Sequence, residues 1–162
     1  MSGLLGRAVL AFVVLPGTVA FLVPLFLLAP RAPGQPFDAL GIIPLTLGAV
    51  LLLWCVRDFY VAGKGTLAPW APPQTLVVTG LYRLSRNPMY VAVVLVLCGW
   101  ALGFRSGPLA IYAFAVTIAF HLRVVFGEEP WLARIHGDGW VRYKAQVPRW
   151  FGFHCGVDRS NE

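Results

Sequence analysis

The sequence predicts an all-α integral membrane protein with about four transmembrane helices, a C-terminal amphipathic helix at the membrane interface and no Rossmann domain. Three observations lead to this fold class. The 162 residues are 58% hydrophobic and only 12% charged, whereas soluble domains carry about 25% charged residues. Four apolar stretches approach the length of a membrane span, about 20 residues. A stretch rich in aromatic and basic residues follows the last of them.

The four predicted spans cover residues 8–29, 39–56, 88–104 and 106–126. The first three contain no charged residue, and the fourth contains only Arg123. The third span is about 26 Å long at 1.5 Å per residue, so it crosses the hydrocarbon with little tilt. The first stretch imitates a signal peptide, but it is too long and lacks a small-residue cleavage site. We therefore interpret it as a retained helix.

The distribution of Lys and Arg predicts the orientation in the membrane. With a cytoplasmic N-terminus, eleven of these residues lie on the cytoplasmic side, and only Arg31 and Arg105 lie on the other. Both termini are therefore expected in the cytoplasm; a bacterial inner membrane is the location that the family resemblance described below implies. The net charge of +6 suits a lipid-facing surface, and the pattern does not indicate nucleic-acid binding. The three cysteines lack metal-ligand spacing, so no metal site is expected.

The whole chain, residues 1–162, is predicted to be one domain. The turn "GFRSGP" makes the third and fourth spans an antiparallel hairpin, and "TLVV" before the third span suggests a short extended piece. Aromatic residues among basic ones over residues 127–151 indicate an interfacial amphipathic segment. Gly99 and Gly103 form a GxxxG motif, which indicates a close helix–helix contact or a homodimer unless these are ordinary membrane glycines.

The stretch "GLYRLSRNPMY" introduces the third span with polar residues. Asn87 is a strong N-cap type and Pro88 suits the first helical position, so a helix is predicted to begin there. Its free N–H groups and the neighbouring Arg86 would form an anion site, with hydroxyls from Tyr82 and Tyr90 nearby. The alternative is that the arginines are cytoplasmic anchors and the tyrosines part of an interfacial aromatic belt.

Two adjacent carboxylates, Glu128 and Glu129, follow the fourth span. The predicted hairpin brings them to the depth of Arg86. The acids would then either stabilise the start of the following helix or line a ligand pocket. A carboxylate can accept both hydroxyls of a ribose, and S-adenosylmethionine combines a ribose diol with an anionic end. A dinucleotide offers the same two groups, but no Gly-rich turn after a strand occurs in this sequence. The acids and the anion site are thus compatible with S-adenosylmethionine.

The two blocks "GTLAPWAPPQTLVVTGLYRLSRNPMYVAV" and "EEPWLARIHGDGWVRYKAQVPRW" resemble the bacterial branch of the isoprenylcysteine carboxyl methyltransferase family, which is related to phospholipid N-methyltransferases. The resemblance covers roughly 60% of the chain. It implies an S-adenosylmethionine-dependent methyltransferase that acts on a lipophilic small molecule or lipid at the cytoplasmic membrane face. Its cofactor-binding blocks correspond to residues 65–90 and 127–151.

The resemblance also implies roles for individual residues. The implied cofactor contacts are Gln74, Thr75, Leu76, Val77, Tyr82, Arg86, Asn87, Pro88, Met89, Tyr90 and Glu128. Arg123 and Glu129 are the predicted catalytic residues. Eukaryotic members carry His in place of Asn87, and an Asn side chain does not titrate, so no general base is expected there.

Three other functions are compatible with the sequence. A phospholipid or amine N-methyltransferase would share the cofactor but would need a deprotonated amine. An NADPH-dependent membrane reductase would need sites for more phosphate groups than one Arg-containing turn offers. A non-catalytic membrane scaffold would leave Glu128 and Glu129 without an explanation from packing.

Overall fold

The computed structural model describes residues 13–28, 36–61 and 76–151, and all regular secondary structure in these residues is helical. The described elements, in chain order, are the π-helical segment Val13–Leu22, helix α1 (Val23–Leu28), the 3₁₀ turn Ala39–Gly41, α2 (Ile42–Val61), the 3₁₀ turn Gly80–Arg83, α3 (Pro88–Gly103), α4 (Gly107–Arg123), the π-helical turn Val124–Glu128, α5 (Glu129–His136) and α6 (Asp138–Gln146).

Two local expectations were wrong. The extended piece expected over "TLVV" does not form a strand in its described part, Leu76–Val78, because no neighbouring strand in the described residues pairs with it. The single amphipathic helix expected near the C-terminus is two short helices, α5 and α6. The break lies at Gly137, whose φ of +47° belongs to the left-handed region that favours glycine.

Two of the helical stretches are long and apolar enough to cross a membrane, Ala39–Asp58 and Gly107–His136. Two further apolar helices, Pro16–Leu28 and Pro88–Gly103, are shorter. Many large apolar side chains point outward; Ile43 and Ile111, for example, are each 72% exposed. Apolar surface of this extent indicates a lipid environment. The helix lengths support two spans, and the four-span arrangement stays a prediction.

Helix α3 is the central element of the bundle. Its buried side chains Ala92, Val93, Val96 and Leu97 form one core cluster with residues of the neighbouring helices: Ala20, Leu52 and Ala113. Such an arrangement explains why α3 carries no polar stripe along its length, since it is packed from several sides. The two ends of α3 therefore hold its polar contacts.

The GxxxG motif forms a close contact between α2 and α3 within one chain. A Cβ atom placed on Gly99 would lie 2.6 Å from the backbone nitrogen of Leu45, and one placed on Gly103 would collide with the ring of Phe37. A Cβ atom placed on Gly41 would lie 2.5 Å from the Cα atom of Gly103. Of the two packing interpretations, the structure supports the contact inside the chain, so a homodimer would need another surface.

Gly99→Ala is expected to lower the free energy of unfolding by about 1–3 kcal/mol, because the new methyl group must push the backbones of α2 and α3 apart. Thermal unfolding in detergent measures this change. Gly107→Ala is the matched control, since no atom lies within 4 Å of the position its Cβ would take. Equal stability of the two variants would contradict the close approach at Gly99.

Pro24 explains how the first described helical segment is attached to α3. A proline has no N–H and therefore leaves the carbonyl four residues earlier without its helical donor. That carbonyl belongs to Ala20, and the indole Nε1 of Trp100 donates to it at 3.0 Å. Neighbouring side chains commonly satisfy carbonyls freed in this way in membrane helices.

Candidate functional site

A π-helical turn at the end of α4 determines the direction of Glu128. The N–H of Glu129 donates to the carbonyl of Val124, five residues earlier, and Pro130, without an N–H, cannot continue regular α-helical bonding. In an α-helix, side chains five positions apart point roughly 140° apart. The wider turn brings Arg123 and Glu128 to one side, with Arg123 Nε 2.8 Å from Glu128 Oε1. Such turns are frequent at functional sites.

Tyr90 links the first turn of α3 directly to Glu128. Its hydroxyl donates to Oε1 of Glu128, the oxygen that also accepts from Arg123. The Tyr90 ring stacks on Phe120 of α4, with ring centroids 4.3 Å apart. The beginning of α3 and the end of α4 therefore meet through one carboxylate.

Glu129 joins two arginines that are distant in sequence. Arg86 Nη1 lies 2.8 Å from Oε1 of Glu129, and Arg149 contacts both oxygens, through Nε at 2.8 Å and Nη2 at 2.9 Å. The side chains of Arg86 and Glu129 are only 8% and 12% exposed. The anion that Arg86 binds in this structure is thus the Glu129 carboxylate.

The contacts among Glu129, Arg86 and Arg149, together with burial, shift the pKa values of these groups. Glu129 begins α5, beyond the apolar stretch that ends at Phe126. Burial raises its pKa, but the hydrogen bond from Arg149 and the charges of both arginines outweigh burial and hold the pKa below its usual value. Burial lowers the pKa of Arg86 despite the attraction of Glu129. Both arginines remain charged near neutral pH because a guanidinium loses its proton only in strongly basic solution.

Asn87 precedes α3 as predicted, but its side chain does not cap the helix. Pro88 follows it and lacks an N–H, and the Asn87 amide Nδ2 instead donates to the carbonyl of Arg149 at 3.0 Å. The backbone N–H of Asn87 donates to Ser85 Oγ at 3.1 Å. The role of Asn87 in this structure is therefore to join α3 to the segment after α6.

A cavity of about 180 Å³ lies beside the Tyr90–Glu128 contact. Its residues come from three helical elements: Pro16, Val19, Met89, Tyr90, Val93, Phe120 and Arg123. Most of the lining is apolar, while Tyr90 and Arg123 supply a polar edge. The Arg123 side chain is 60% exposed. The cavity thus offers an apolar interior next to a charged rim.

The other predicted cofactor residues lie away from this cavity, with one exception. Val77 and Tyr82 belong to a buried cluster with Cys55, and Leu76 packs against a second cluster around Trp140. Pro88 is the buried first residue of α3, while Met89 lines the cavity. Gln74 and Thr75 lie outside the described residues. The structure therefore brings together Arg86, Met89, Tyr90, Arg123, Glu128 and Glu129. Asn87 is connected to them through the carbonyl of Arg149.

Sequence reasoning missed several residues of this region, above all Arg149, whose side chain and carbonyl both contact predicted site residues. Phe120 and Val93 were treated only as parts of spans, yet both line the cavity. Trp140 was expected at the membrane interface but is buried. The Cζ atom of Arg86 lies over its ring, 5.4 Å from the ring centroid. No metal-binding group of three or more His, Cys, Asp or Glu occurs among the described residues.

Comparison with known proteins identifies the family of this chain. The model of the phospholipid methyltransferase family matches residues 37–139, which include the start of α3 and both glutamates. A cobalt-zinc-cadmium resistance protein, CzcN of Cupriavidus metallidurans, is 31% identical over 115 residues, 69% of this chain and 47% of the relative. The chain thus spans about half the length of that relative. No solved structure matches the sequence. Because the family match covers well over half of the chain, this protein belongs to the phospholipid methyltransferase family.

Proposed function

We propose that the protein is an S-adenosylmethionine-dependent methyltransferase that acts on a lipophilic acceptor at the cytoplasmic membrane face, in the manner of isoprenylcysteine carboxyl methyltransferases. Family membership supports membrane methyl transfer in general. The observation that carries the more specific proposal is the contact between Tyr90 and Glu128 beside an apolar cavity. It places a carboxylate, a guanidinium and aromatic rings at one position.

The residues present suit the chemical groups of S-adenosylmethionine. Glu128 would accept hydrogen bonds from the ribose hydroxyls, and the exposed guanidinium of Arg123 would attract the cofactor carboxylate. The stacked rings of Tyr90 and Phe120 offer aromatic surface for the sulfonium or the adenine. The cavity alone is smaller than the 300–1,000 Å³ of ligand pockets. We therefore assign the cavity to the acceptor and the polar rim to the cofactor.

When bound, S-adenosylmethionine would supply a methyl group on a sulfonium; the acceptor would provide the electron pair of the new bond to carbon, and the sulfur would keep the pair of the broken C–S bond. The protein contributes alignment, which is worth about 7–11 kcal/mol when reactants are well oriented. Tyr90 and Arg123 hold Glu128 in one direction through its shared oxygen. The apolar walls would remove water from the acceptor. An acceptor already ionised, such as a carboxylate or thiolate, requires no base, and the Asn87 amide supplies none.

The cavity volume also suggests the size of the acceptor group. An engineered apolar cavity of about 150 Å³ holds one benzene molecule, and the cavity beside Tyr90 measures about 180 Å³. The space next to the polar rim would therefore hold a ring or branched chain of about six carbons. Longer chains would have to continue between the helices into lipid. Acceptors with compact apolar groups should thus be methylated most efficiently.

Val93→Ala is expected to lengthen the preferred apolar group by about two carbons, the number that the substitution removes from the cavity wall. The measurement is the initial rate of methyl transfer to a series of alkyl thiols and alkanoic acids of increasing length. Val96→Ala is the matched control: Val96 is equally buried on the same helix but does not line the cavity. An identical chain-length profile in both variants would remove the cavity from the acceptor site.

A lipid-amine acceptor is the second candidate, favoured by the match to a phospholipid methyltransferase family. An amine attacks only as the free base, so its methylation rate should rise with pH until the amine is deprotonated. A carboxylate acceptor is already ionised near neutral pH, and its rate should stay level there. The pH dependence of the rate therefore separates the two acceptor classes.

The proposed activity is tested by incubating the purified protein with methyl-labelled S-adenosylmethionine and a native lipid extract, then identifying the labelled product. We expect label in an organic-soluble product and measurable equilibrium binding of the cofactor in detergent. Binding of NADPH without S-adenosylmethionine would instead indicate a reductase. Binding of neither compound would indicate a non-catalytic membrane protein.

A further inference from the structure

The segment that follows α6 lies directly on the turn that precedes α3. The backbone N–H of Arg86 donates to the carbonyl of Pro148 at 2.9 Å. The carbonyl of Arg149 accepts from Asn87 Nδ2 at 3.0 Å and from Ser85 Oγ at 3.3 Å. Three hydrogen bonds from residues 85–87 thus end on two consecutive carbonyls.

The side chain of Arg149 reaches a different part of the site. Its guanidinium holds Glu129 with two hydrogen bonds, at 2.8 and 2.9 Å, in the two-pronged geometry that arginine and carboxylate share. Glu129 is adjacent to Glu128 in sequence, and Asn87 lies three residues before Tyr90. Arg149 therefore contacts a near neighbour of each member of the Tyr90–Glu128 pair.

We propose that Arg149 is a positioning residue for methyl transfer. It contacts neither the cavity nor the Tyr90–Glu128 pair itself. Instead, it holds the start of α3 through its carbonyl and the start of α5 through its guanidinium, and so keeps Tyr90 and Glu128 at bonding distance. This inference rests on the proposed function. It also places part of the site machinery outside residues 37–139, which the family match covers.

Arg86 alone does not fix this arrangement. Its single contact with Glu129 uses Nη1 at 2.8 Å, and its Nε has no hydrogen-bond partner among the residues that the structure describes. The Arg86 guanidinium instead lies 5.4 Å from the ring centroid of Trp140. Within the described part of the chain, only Arg149 engages both oxygens of Glu129, so the direction of this carboxylate depends on Arg149.

Kinetics of Arg149→Met test the proposal in the full-length protein. We expect kcat to fall about 100-fold, the usual effect of displacing reacting groups by about 1 Å, while KM for the acceptor changes little because the cavity is intact. Arg149→Lys should show intermediate activity, because lysine keeps the positive charge but cannot form two parallel hydrogen bonds to the Glu129 carboxylate. Arg142→Met, a control at an exposed arginine of α6, should keep wild-type kinetics.

A double variant separates positioning from general stability. If Arg149 acts through Glu129, then Arg149→Met should lower kcat much less in a Glu129→Gln background than in the wild type. A kcat for Arg149→Met within threefold of wild type would overturn the proposal. An equal loss of kcat in both backgrounds would also overturn it.

Hydrogen exchange gives a readout that does not require activity. In Arg149→Met and Arg149→Lys, the amides of residues 85–90 should exchange at least tenfold faster than in the wild type, while residues 100–106 at the other end of α3 should be unchanged. Exchange that is unchanged at residues 85–90, or faster to the same degree along all of α3, would overturn the positioning role. If the wild type binds no S-adenosylmethionine, the proposed function fails, and exchange still decides the role of Arg149.

Discussion

Glu128→Ala is expected to weaken S-adenosylmethionine binding about 100-fold. Two hydrogen bonds from ribose hydroxyls to a carboxylate contribute about 1.5 kcal/mol each, and about 3 kcal/mol corresponds to roughly a 100-fold change in Kd. The substitution also releases Tyr90 and Arg123, which share one oxygen of this carboxylate. Equilibrium binding of labelled cofactor in detergent measures the change in Kd.

Two variants make this result specific. Glu128→Gln keeps the size of the side chain but not its charge, so we expect a loss of affinity between wild type and Glu128→Ala. Asp38→Ala removes another carboxylate paired with an arginine, since Asp38 Oδ2 lies 2.5 Å from Arg105 Nη2 near the other end of α3. Its Kd should match the wild type. An unchanged Kd for Glu128→Ala would exclude this residue from the cofactor site.

Glu129→Ala is expected to lower the free energy of unfolding by about 3 kcal/mol. Removing one partner of a buried ion pair typically costs 3–5 kcal/mol, because the remaining charge is left uncompensated. Without Glu129, the Arg86 guanidinium would be left buried, since its side chain is only 8% exposed. The Arg149 side chain is 33% exposed and would be partly solvated by water, so we expect the lower end of this range. Chemical unfolding without cofactor measures this change independently of any activity. Asp38→Ala should destabilise the protein far less, since its partner Arg105 is 80% exposed.

The contribution of Glu129 to stability should depend on pH. Although burial raises it, the hydrogen bond from Arg149 and the charges of both arginines hold its folded-state pKa below the usual value of a glutamate carboxyl. A lowered carboxyl pKa stabilises the fold fully above the unfolded-state value and ceases to do so as the pH falls through the folded-state value. The stability difference between wild type and Glu129→Gln should therefore be constant from pH 6 to 8 and shrink below about pH 4.5. A difference that persists unchanged to pH 3 would show that the charge of Glu129 is not what matters.

These predictions assign different tasks to two adjacent acids. Glu128 faces Tyr90 and Arg123 beside the cavity, whereas both oxygens of Glu129 are held by guanidinium groups. The family resemblance implied a catalytic role for Glu129. The structure provides an alternative task for Glu129, which is to hold Arg86 and Arg149 together. The two expected results, on binding and on stability, distinguish these tasks.

The general class of the fold could be predicted from composition and periodicity alone, because a membrane-spanning helix requires a continuous run of apolar residues. The start of α3 could also be predicted, since the Asn87–Pro88 pair is a local signal. The π-helical turn at Val124–Glu128 could not. Pro130 indicates an interruption, but whether the chain responds with a kink, a break or a wider turn depends on the tertiary contacts of Arg123 and Glu128.

The contacts of the site that join residues distant in sequence could be predicted only in part. The proximity of Arg86 to the glutamates follows from hairpin geometry, and this part of the prediction rested on topology. Arg149 is 62 residues from Asn87 along the chain, and nothing in its local sequence differs from that of an interfacial basic residue. Its partners depend on how α5 and α6 fold back, which the break at Gly137 determines.

The position of the cofactor is the central claim, and photolabelling tests it most directly. Purified protein in detergent is irradiated with radiolabelled S-adenosylmethionine and digested, and the labelled peptides are identified. We expect label on residues 85–93 or 120–130, with a large decrease in Glu128→Ala. Label confined to residues 36–45 or 100–107, at the other end of α3, would contradict the proposed site.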